Sequence, residues 1–408
     1  MGKIARTHTP YALLVAIVMA YGCASVPERH PLPEAPTHMP QIPDIPDVRN
    51  WDDEMPRAAT RILNESAEQV RARLPAMANH PHRYLAISGG GANGAFGAGL
   101  LAGWTASGTR PEFDLVTGIS TGALGAPFAF LGPAYDAKLK EAYTSYSTKD
   151  LIRQRSKLEF LTGDSAVDAS GLKSVMAKYI NEEVVRSIAA EHAKGRRLFI
   201  GTTNLDASRA VLWDITAIAA SGRPSALELI RNVMLASASI PVAFPPVYFQ
   251  VEYEGNIYDE LHVDGGAAQQ VFVYPAAIEW AKIMDKLGVP PGESKAYVIR
   301  NAFIDPKWEP VKSPTIGPIA SRSINSLIRT QGIGDLNRIY LLCQRDRIAF
   351  NLAEIPPSFD KKEKEAFDRE YMQALYDVGY NLAKNGYPWE KEPPYYAVRE
   401  ETSVSAPK

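Results

Sequence analysis

Two glycine-rich turns constrain the fold of this chain more than any other feature of the sequence. Residues 88–94 read SGGGANG, and residues 118–122 read GISTG. Each turn follows a short apolar segment with strand character and precedes a pattern typical of a helix. Since consecutive strand-turn-helix units build parallel sheets with these turns at one edge, we expect the two turns to lie side by side at the carboxyl edge of a sheet.

Strand-like and helix-like patterns alternate beyond these turns, which predicts an α/β fold with a largely parallel central sheet. No proline- or glycine-rich break divides residues 80–390, so we predict one catalytic domain there and a C-terminal tail over 391–408. Strands are predicted over residues 84–88, 113–118, 197–203, 210–215 and 296–304, with a hairpin over 247–263. Helices are predicted over residues 57–74, 92–108, 121–130, 135–146, 170–194, 225–236, 321–349 and 361–384.

The first residues have the pattern of an export signal. Lys3 and Arg6 precede an uncharged apolar run over residues 11–21, which is too short to span a bilayer, where about 20 residues are needed. The junction Gly22-Cys23 resembles the lipobox at which bacterial lipoproteins are cleaved and acylated, although the preceding Ala20-Tyr21 departs from its usual pattern. We therefore predict a signal peptide over residues 1–22 and a lipid on Cys23, with ordinary secretion as the alternative.

A proline-rich segment follows, with seven prolines among the twenty residues from 27 to 46. Such a segment favours extended polyproline II and would span about 60 Å at about 3.1 Å per residue. We predict a lipid-anchored linker over residues 23–58, with a disordered tail as the alternative. The protein is then expected in the cell envelope, in the periplasm or at the outer membrane, or else secreted.

The first glycine turn suits an anion. Backbone amides at a helix start bind phosphate or stabilise an oxyanion, and tight strand-helix packing without a ligand is the third interpretation. Gly89-x-Gly91-x-x-Gly94 also matches the dinucleotide-binding pattern. That pattern needs an acidic residue at the end of the second strand, whereas Asp114 stands at its beginning, which counts against a ribose contact.

The second turn places a serine where a nucleophile is expected. Small residues flanking Ser120 allow the sharp strand-to-helix turn that exposes a serine hydroxyl. If the two turns lie side by side, the first supplies the oxyanion hole for the serine of the second.

A serine hydroxyl needs a base to become a good nucleophile. Of the seven histidines only His192 and His262 follow Ser120, and His192 lies in a polar helix end that indicates a surface position. His262 and Asp264 alternate on one strand and therefore share a face. Asp264 ends that strand before two glycines, which suits a base opposite the serine, while an aspartate that caps a turn is the alternative.

These motifs, GGGANG, GISTG and VDGG in this order, resemble those of the patatin-like phospholipases. Residues 235–241 resemble another block of that family, so the likeness runs from about residue 84 to 275. The resemblance implies a three-layer α/β/α fold, a Ser-Asp dyad without metal or cofactor, and cleavage of acyl esters in phospholipids or related lipids. It assigns the nucleophile to Ser120, the base to Asp264, and the oxyanion hole to the backbone around Gly89, Gly90, Gly91 and Gly94.

One position departs from that pattern, because members of the family commonly carry Arg or Lys where this chain has Asn93. Apolar residues near the turns are candidates for an acyl channel or for core packing: Phe96, Leu100, Trp104, Phe128 and Phe244.

The sequence thus predicts an exported serine hydrolase that cleaves membrane phospholipid or another lipid ester through an acyl-enzyme. Three alternatives stay open: an α/β-hydrolase-type esterase that uses His262, a nucleotide-binding oxidoreductase, and a non-catalytic lipid-binding envelope protein. A net charge of −2 without a polybasic tract argues against a nucleic-acid partner.

Overall fold

The computed structural model describes residues 29–156, 165–306, 308 and 310–396. The predicted signal peptide and Cys23 lie outside the described residues, as does the tail from residue 397. The strands are β1 (Arg49–Trp51), β2 (Arg83–Ile87), β3 (Leu115–Gly118), β4 (Arg153–Gln154), β5 (Val167–Asp168), β6 (Arg197–Asn204), β7 (Arg209–Asp214), β8 (Val247–Tyr253), β9 (Asn256–Asp264), β10 (Lys295–Arg300) and β11 (Ala349–Glu354).

The α-helices in this part of the chain are α1 (Arg57–Asn64), α2 (Ala67–Arg73), α3 (Gly94–Ala106), α4 (Thr121–Leu131), α5 (Asp136–Thr144), α6 (Thr148–Leu151), α7 (Ser170–Tyr179), α8 (Glu182–Ala193), α9 (Ile215–Ala220), α10 (Ala226–Ser237), α11 (Trp280–Leu287), α12 (Ile316–Arg345) and α13 (Arg369–Lys384). Short 3₁₀ turns at Gly91–Asn93 and Gly265–Ala267 flank the site described below.

A nine-stranded sheet forms the centre of the molecule. Its main path runs β1-β7-β6-β3-β2-β10-β11, and the stretch from β6 to β11 is parallel throughout. The strands β7 and β1 extend it with antiparallel pairs, and the β8–β9 hairpin pairs with the end of β6. β4 and β5 form a separate two-stranded ribbon.

Side chains that alternate along each parallel strand fill a core on both faces of the sheet. In β2, Leu85 and Ile87 join a cluster with residues of α3, α4 and α13. Tyr84 and Ala86 face the other way and pack with residues of α11 and α12. Helices therefore cover both faces, and the predicted three-layer α/β/α fold with a mostly parallel sheet is confirmed.

The N-terminal segment differs from the predicted linker. From residue 29 the chain lies against the domain, where Ile45 and Val48 are buried in the main core and β1 adds an edge strand to β7. Arg49 donates to Glu260 at 2.5 Å in a pair that is buried on both sides. Prolines do not prevent this, because this segment contributes only three residues to the sheet and apolar side chains between the prolines reach the core.

The folded region consequently begins well before residue 80, and an extended spacer does not describe residues 29–58. At the other end, the chain beyond the predicted boundary at 390 keeps contacts with the domain, since Lys391 Nζ donates to Asn351 Oδ1 at 2.6 Å.

The edge strand β11, which ends the parallel part of the sheet, was absent from the sequence prediction. The predicted helix over 321–349 ends at Arg345, and β11 then pairs in parallel with β10 along six residues. The chain reverses between them at Arg347, whose φ of 58° is in the left-handed region. Because no glycine or proline marks that turn, the sequence pattern gave no signal for it. Among the described residues, no helix is long and apolar enough to span a membrane.

Candidate active site

Ser120 lies in a sharp turn between β3 and α4. Its φ of 54° is in the left-handed region, which a residue with a side chain rarely adopts. The turn needs glycine next to it, because a Cβ on Gly122 would come within 2.2 Å of the carbonyl oxygen of Ile87. The backbone is thus held in the strained conformation that presents a serine side chain at the edge of a sheet.

The hydroxyl of Ser120 donates a hydrogen bond to Asp264. The distance from Oγ to Oδ2 is 2.6 Å, and both residues are buried. The second carboxylate oxygen, Oδ1, accepts from the amide of Gly266 at 2.7 Å. The backbone of Asp264 is fixed as well, since its amide donates to the Ser239 carbonyl at 2.8 Å and its carbonyl accepts from Thr203 Oγ1 at 2.9 Å.

Burial raises the pKa of Asp264 to about 7, although the hydrogen bonds from Ser120 and Gly266 act in the opposite direction. An ordinary aspartate is fully ionised at neutral pH and is a weak base. A carboxylate with a pKa near 7 accepts a proton more readily at neutral pH, which matches the requirement for a general base.

The first glycine turn lies beside this pair. A Cβ on Gly89 would come within 3.1 Å of the Ser120 Cβ, so the turn and the serine are in close contact. Within the described residues, the amides of Gly90 and Gly91 have no hydrogen-bond acceptor. Gly90 cannot carry a side chain here, because a Cβ would come within 2.0 Å of the Asn301 carbonyl oxygen.

The other two glycines of the predicted oxyanion hole, Gly89 and Gly94, use their amides for hydrogen bonds within the fold. The amide of Gly89 donates to the Gln270 carbonyl at 3.1 Å, and the amide of Gly94 bonds to the Gly91 carbonyl. Gly94 instead allows close packing, since a Cβ on it would come within 2.2 Å of Thr121 Oγ1. Of the four glycines, only Gly90 and Gly91 therefore have amides available for an oxyanion.

Ser237 is a site residue that the sequence reasoning did not single out. Its Oγ accepts from the Ser120 amide at 3.0 Å and donates to the Gly201 carbonyl at 2.7 Å. It therefore ties the backbone of the nucleophile turn to β6. The signal for it was its place in residues 235–241, the stretch that resembles a family block.

His262 is fully buried and turned to other partners. Its Nε2 is 3.0 Å from Glu260 Oε2, and its Nδ1 is 2.8 Å from Thr202 Oγ1. Both ring nitrogens are thus occupied without Ser120. Burial also lowers the pKa of His262. This histidine belongs to the buried polar cluster around Glu260 and Arg49.

Asp114 lies away from this edge of the sheet. Its Oδ2 accepts from the Arg83 amide at 2.6 Å, at the start of β2 and therefore at the opposite end of the parallel strands. No ribose contact from Asp114 to a ligand at the glycine turn follows from this position. Among the described residues, no group of three His, Cys, Asp or Glu side chains lies close enough together to hold a metal ion.

Comparison with known proteins finds one family model that matches part of the chain. Residues 85–277 match the family model described as patatin-like phospholipase. This part of the chain is similar to a patatin-like phospholipase. The match covers just under half of the sequence and includes Ser120, Asp264 and the glycine turn.

Other comparisons add little. The crystal structure of VipD from Legionella pneumophila aligns with a TM-score of 0.32 and 11% identity over 75% of this chain and 66% of VipD. The chain thus spans just under two thirds of the length of that protein. No curated protein sequence matches the chain.

An apolar cavity opens beside Ser120. Its empty volume, including space open to solvent, is about 900 Å³. Its walls come mainly from α4, α5 and α7, with Met234 of α10 and Met372 of α13 also lining it. Phe128 and Phe244 line it, as two of the five candidate channel residues. Phe96, Leu100 and Trp104 do not line it and are buried in the core.

A second, more polar cavity also has Ser120 in its wall. It is lined by Ser120 and Asp264, by Gly90 and Gly91 of the glycine turn, and by residues of α12. Asn93 also lines it and accepts a hydrogen bond from the Tyr371 hydroxyl at 2.5 Å. Ser120 therefore stands between an apolar and a polar compartment.

Proposed function

We propose that this protein is a serine hydrolase that cleaves acyl ester bonds of phospholipids or related lipids. The observation that carries the proposal is the 2.6 Å hydrogen bond from Ser120 Oγ to Asp264 Oδ2. A base in contact with the hydroxyl of a strained turn serine is the arrangement that nucleophilic catalysis requires. The match to the patatin-like phospholipase model supports the same chemistry.

The proposed reaction has two halves. In the first, Asp264 takes the proton of Ser120 while Oγ attacks the ester carbonyl, and the negative charge on the carbonyl oxygen is stabilised by the amides of Gly90 and Gly91. The tetrahedral intermediate collapses to an acyl-enzyme, and Asp264 returns the proton to the departing alcohol. In the second half, Asp264 takes a proton from water as the water oxygen attacks the acyl-enzyme. When the second tetrahedral intermediate collapses, Asp264 passes that proton to Ser120 Oγ, and the fatty acid and free Ser120 are released.

The apolar cavity supports an acyl chain as the part of the substrate held beside the serine. Its walls are almost wholly hydrocarbon and aromatic, and removal of an acyl chain from water favours binding by about 0.8 kcal/mol per buried methylene. Exposed apolar side chains at the mouth of the polar cavity, among them Val242 and Leu327, support contact with a lipid surface.

Labelling with a fluorophosphonate tests the reactive serine. We expect the full chain to form a covalent adduct on Ser120, and we expect the Ser120→Ala variant to form none. The same two proteins incubated with a membrane lipid extract should differ in released fatty acid. A folded wild type that is neither labelled nor active on any lipid would instead favour the non-catalytic lipid-binding protein.

For localisation, we propose that the chain is exported and anchored through lipid on Cys23. Stable anchoring needs more than one acyl chain, which a diacylated and N-acylated cysteine provides. Mass spectrometry of the mature N-terminus tests this, and we expect it to begin with a lipid-modified Cys23. An unmodified terminus, or cleavage after Ala24, contradicts the anchor and leaves the proposed catalysis unaffected.

A further inference from the structure

Arg300 carries a buried positive charge, and two of its three guanidinium nitrogens are unpaired in the described part of the chain. It ends β10, and only 1% of its surface is exposed. Its Nε and Nη1 atoms have no hydrogen-bond partner among the described residues. A buried charge is normally paired, because the loss of water around an unpaired ion is costly. A guanidinium with unpaired donors at a cavity is therefore a candidate site for an anionic ligand.

The position of Arg300 relates this charge to the catalytic serine. Arg300 lines the polar cavity together with Ser120, Asp264 and Gly90. It directly follows Ile299, whose carbonyl accepts from the amide of Ser88 at the start of the glycine turn. The charge thus stands at the same sheet edge as the nucleophile, one strand beyond β2.

Acidic residues near Arg300 do not neutralise it by direct contact. Asp335 and Glu354 are close enough to favour its charged form, yet neither forms an ion pair with it. Asp335 has another hydrogen-bond partner, since its Oδ2 accepts from the Gln270 amide at 2.6 Å. Burial lowers the pKa of Arg300 to about 10, so the guanidinium is still positively charged at neutral pH.

The helix opposite makes room for this side chain. A Cβ on Gly332 of α12 would come within 2.2 Å of Arg300 Nη2 and within 2.4 Å of its Cζ. Any larger residue at position 332 would displace the guanidinium. Because Gly332 has no side chain, the guanidinium of Arg300 fits into the wall of the cavity.

We infer that Arg300 binds the phosphate of the lipid substrate while the acyl chain lies in the apolar cavity. This inference rests on the proposed function, because it assigns the two compartments beside Ser120 to two parts of one molecule. A planar guanidinium binds phosphate oxygens with charge-assisted hydrogen bonds, often two at once. The glycine turn offers no cationic side chain for this task, as Asn93 is neutral and bonded to Tyr371.

A comparison of two lipids with the same acyl chains tests the inference. Dioleoyl phosphatidylcholine and dioleoylglycerol, in mixed detergent micelles, differ by the phosphate group and its choline. For the full chain we expect a higher kcat/KM on phosphatidylcholine. In Arg300→Gln, the ratio of the two kcat/KM values should fall by roughly 10- to 100-fold, the effect of losing a hydrogen bond to a charged group.

Three variants make this test specific. Gly332→Ala keeps the charge and displaces the guanidinium, so it should lower the ratio in the same direction. Arg300→Lys keeps a positive charge without the planar guanidinium, so it should restore part of the ratio. This variant also keeps the test valid if Arg300→Gln does not fold. Arg322→Gln removes a partly exposed arginine of α12 that lines the same cavity, and it should leave the ratio unchanged.

The outcomes separate this inference from the proposed function. An equal fall in Arg322→Gln and Arg300→Gln would mean general electrostatic attraction and would overturn it. An unchanged ratio in Arg300→Gln, with Ser120 still labelled, overturns the phosphate contact alone. Inorganic phosphate that inhibits wild-type hydrolysis of dioleoylglycerol, without any preference for phosphatidylcholine, assigns Arg300 to free phosphate and also overturns it. Absence of both lipid activities and of labelling rejects the proposed function together with the inference.

Discussion

Asp264 occupies the place in the sheet that Ser120 would take if β3 continued straight. Gly118 pairs with Ile200 of β6, so a straight β3 would set Ser120 beside Thr202, and Thr202 pairs with Asp264. β7 pairs along one edge of β6. On the other edge of β6, β3 pairs with the first half of the strand and β9 pairs with the second half. The strand β9, which takes the place of a straight β3, is therefore also the strand that brings a carboxylate into contact with Ser120.

The first prediction concerns the base. Asp264→Asn should remove esterase activity nearly as fully as Ser120→Ala, because an amide in contact with Ser120 Oγ cannot take its proton. The measurement is the turnover of a short acyl ester by each purified variant.

The matched control is His262→Asn, two residues earlier on the same strand. It should keep most of the activity when circular dichroism shows that it is folded, since both ring nitrogens of His262 bond to other residues. A folded but inactive His262 variant, beside an active Asp264 variant, would replace the dyad with a histidine mechanism.

The second prediction concerns pH. Since the pKa of Asp264 is about 7, kcat/KM should rise with pH and level off above about 7 as the carboxylate becomes ionised. An inflection near pH 4, typical of an exposed aspartate, would contradict this.

The same group affects stability with a defined sign. Its pKa in the folded state is raised above the unfolded value of about 3.9, so the stability present below pH 4 is lost as pH rises to 7. The loss is on the order of 4 kcal/mol, because the pKa of this carboxyl is about 3.9 in the unfolded chain and about 7 in the folded protein. Relative to wild type, Asp264→Asn should therefore gain in free energy of unfolding between pH 4 and 7, and a pH-independent difference would contradict the buried carboxyl.

The third prediction concerns the oxyanion donors. Gly90→Ala should lower the turnover of a short acyl ester by about 10²- to 10³-fold with little change in KM, because the added Cβ meets the Asn301 carbonyl and displaces the turn. Gly91→Ala is the comparison, since a Cβ there has open space although its φ is 56°. Its effect should be smaller, and an equal loss in both variants would point to general disruption of the turn.

The fourth prediction concerns the lipid surface. Val242 and Leu327 line the mouth of the polar cavity with 65% and 69% of their surface exposed. Val242→Asp and Leu327→Asp should reduce hydrolysis of phospholipid vesicles several-fold and leave turnover of a soluble short ester near wild type. Leu341→Asp is the matched control, because Leu341 lies on the same helix as Leu327, is 62% exposed and does not line the cavity. Equal losses in all three would exclude a localised contact surface.

The fifth prediction concerns the N-terminal segment. Arg49→Ala leaves Glu260 buried without its partner and should lower the free energy of unfolding by about 3 to 5 kcal/mol. Arg57→Ala removes an exposed pair with Asp47 and should cost less than about 1 kcal/mol. Chemical denaturation of both variants compares the two, and a loss under 1 kcal/mol for Arg49 would show that residues 29–51 are not part of the cooperative fold.

Local sequence patterns were enough to locate the two turns and to predict a chemistry for them. Glycines around Ser120 and in residues 88–94 are required by backbone geometry, and the apolar strands before them can lie only inside a sheet. Apolar residues repeat every two residues in a strand and about every 3.6 residues in a helix, so the two kinds of element can be told apart locally. Their alternation along the chain indicated a parallel sheet. The predicted fold followed from these local rules.

Contacts between distant segments could not be found in this way. Ser120 and Asp264 are 144 positions apart and meet through the register of β9 on β6. Gly89 and Gly94 belong to the predicted oxyanion set by pattern, yet their amides bond within the fold. The predicted linker packs on the domain, because β1 pairs with the edge strand β7 and Arg49 pairs with the buried Glu260. Arg300 fits into the cavity wall only because Gly332, far away in sequence, has no side chain. Sequence determined which residues form each element, since that depends on neighbours along the chain. Pairing, burial and the partner of each charge depend on neighbours in space, and only the tertiary structure decided them.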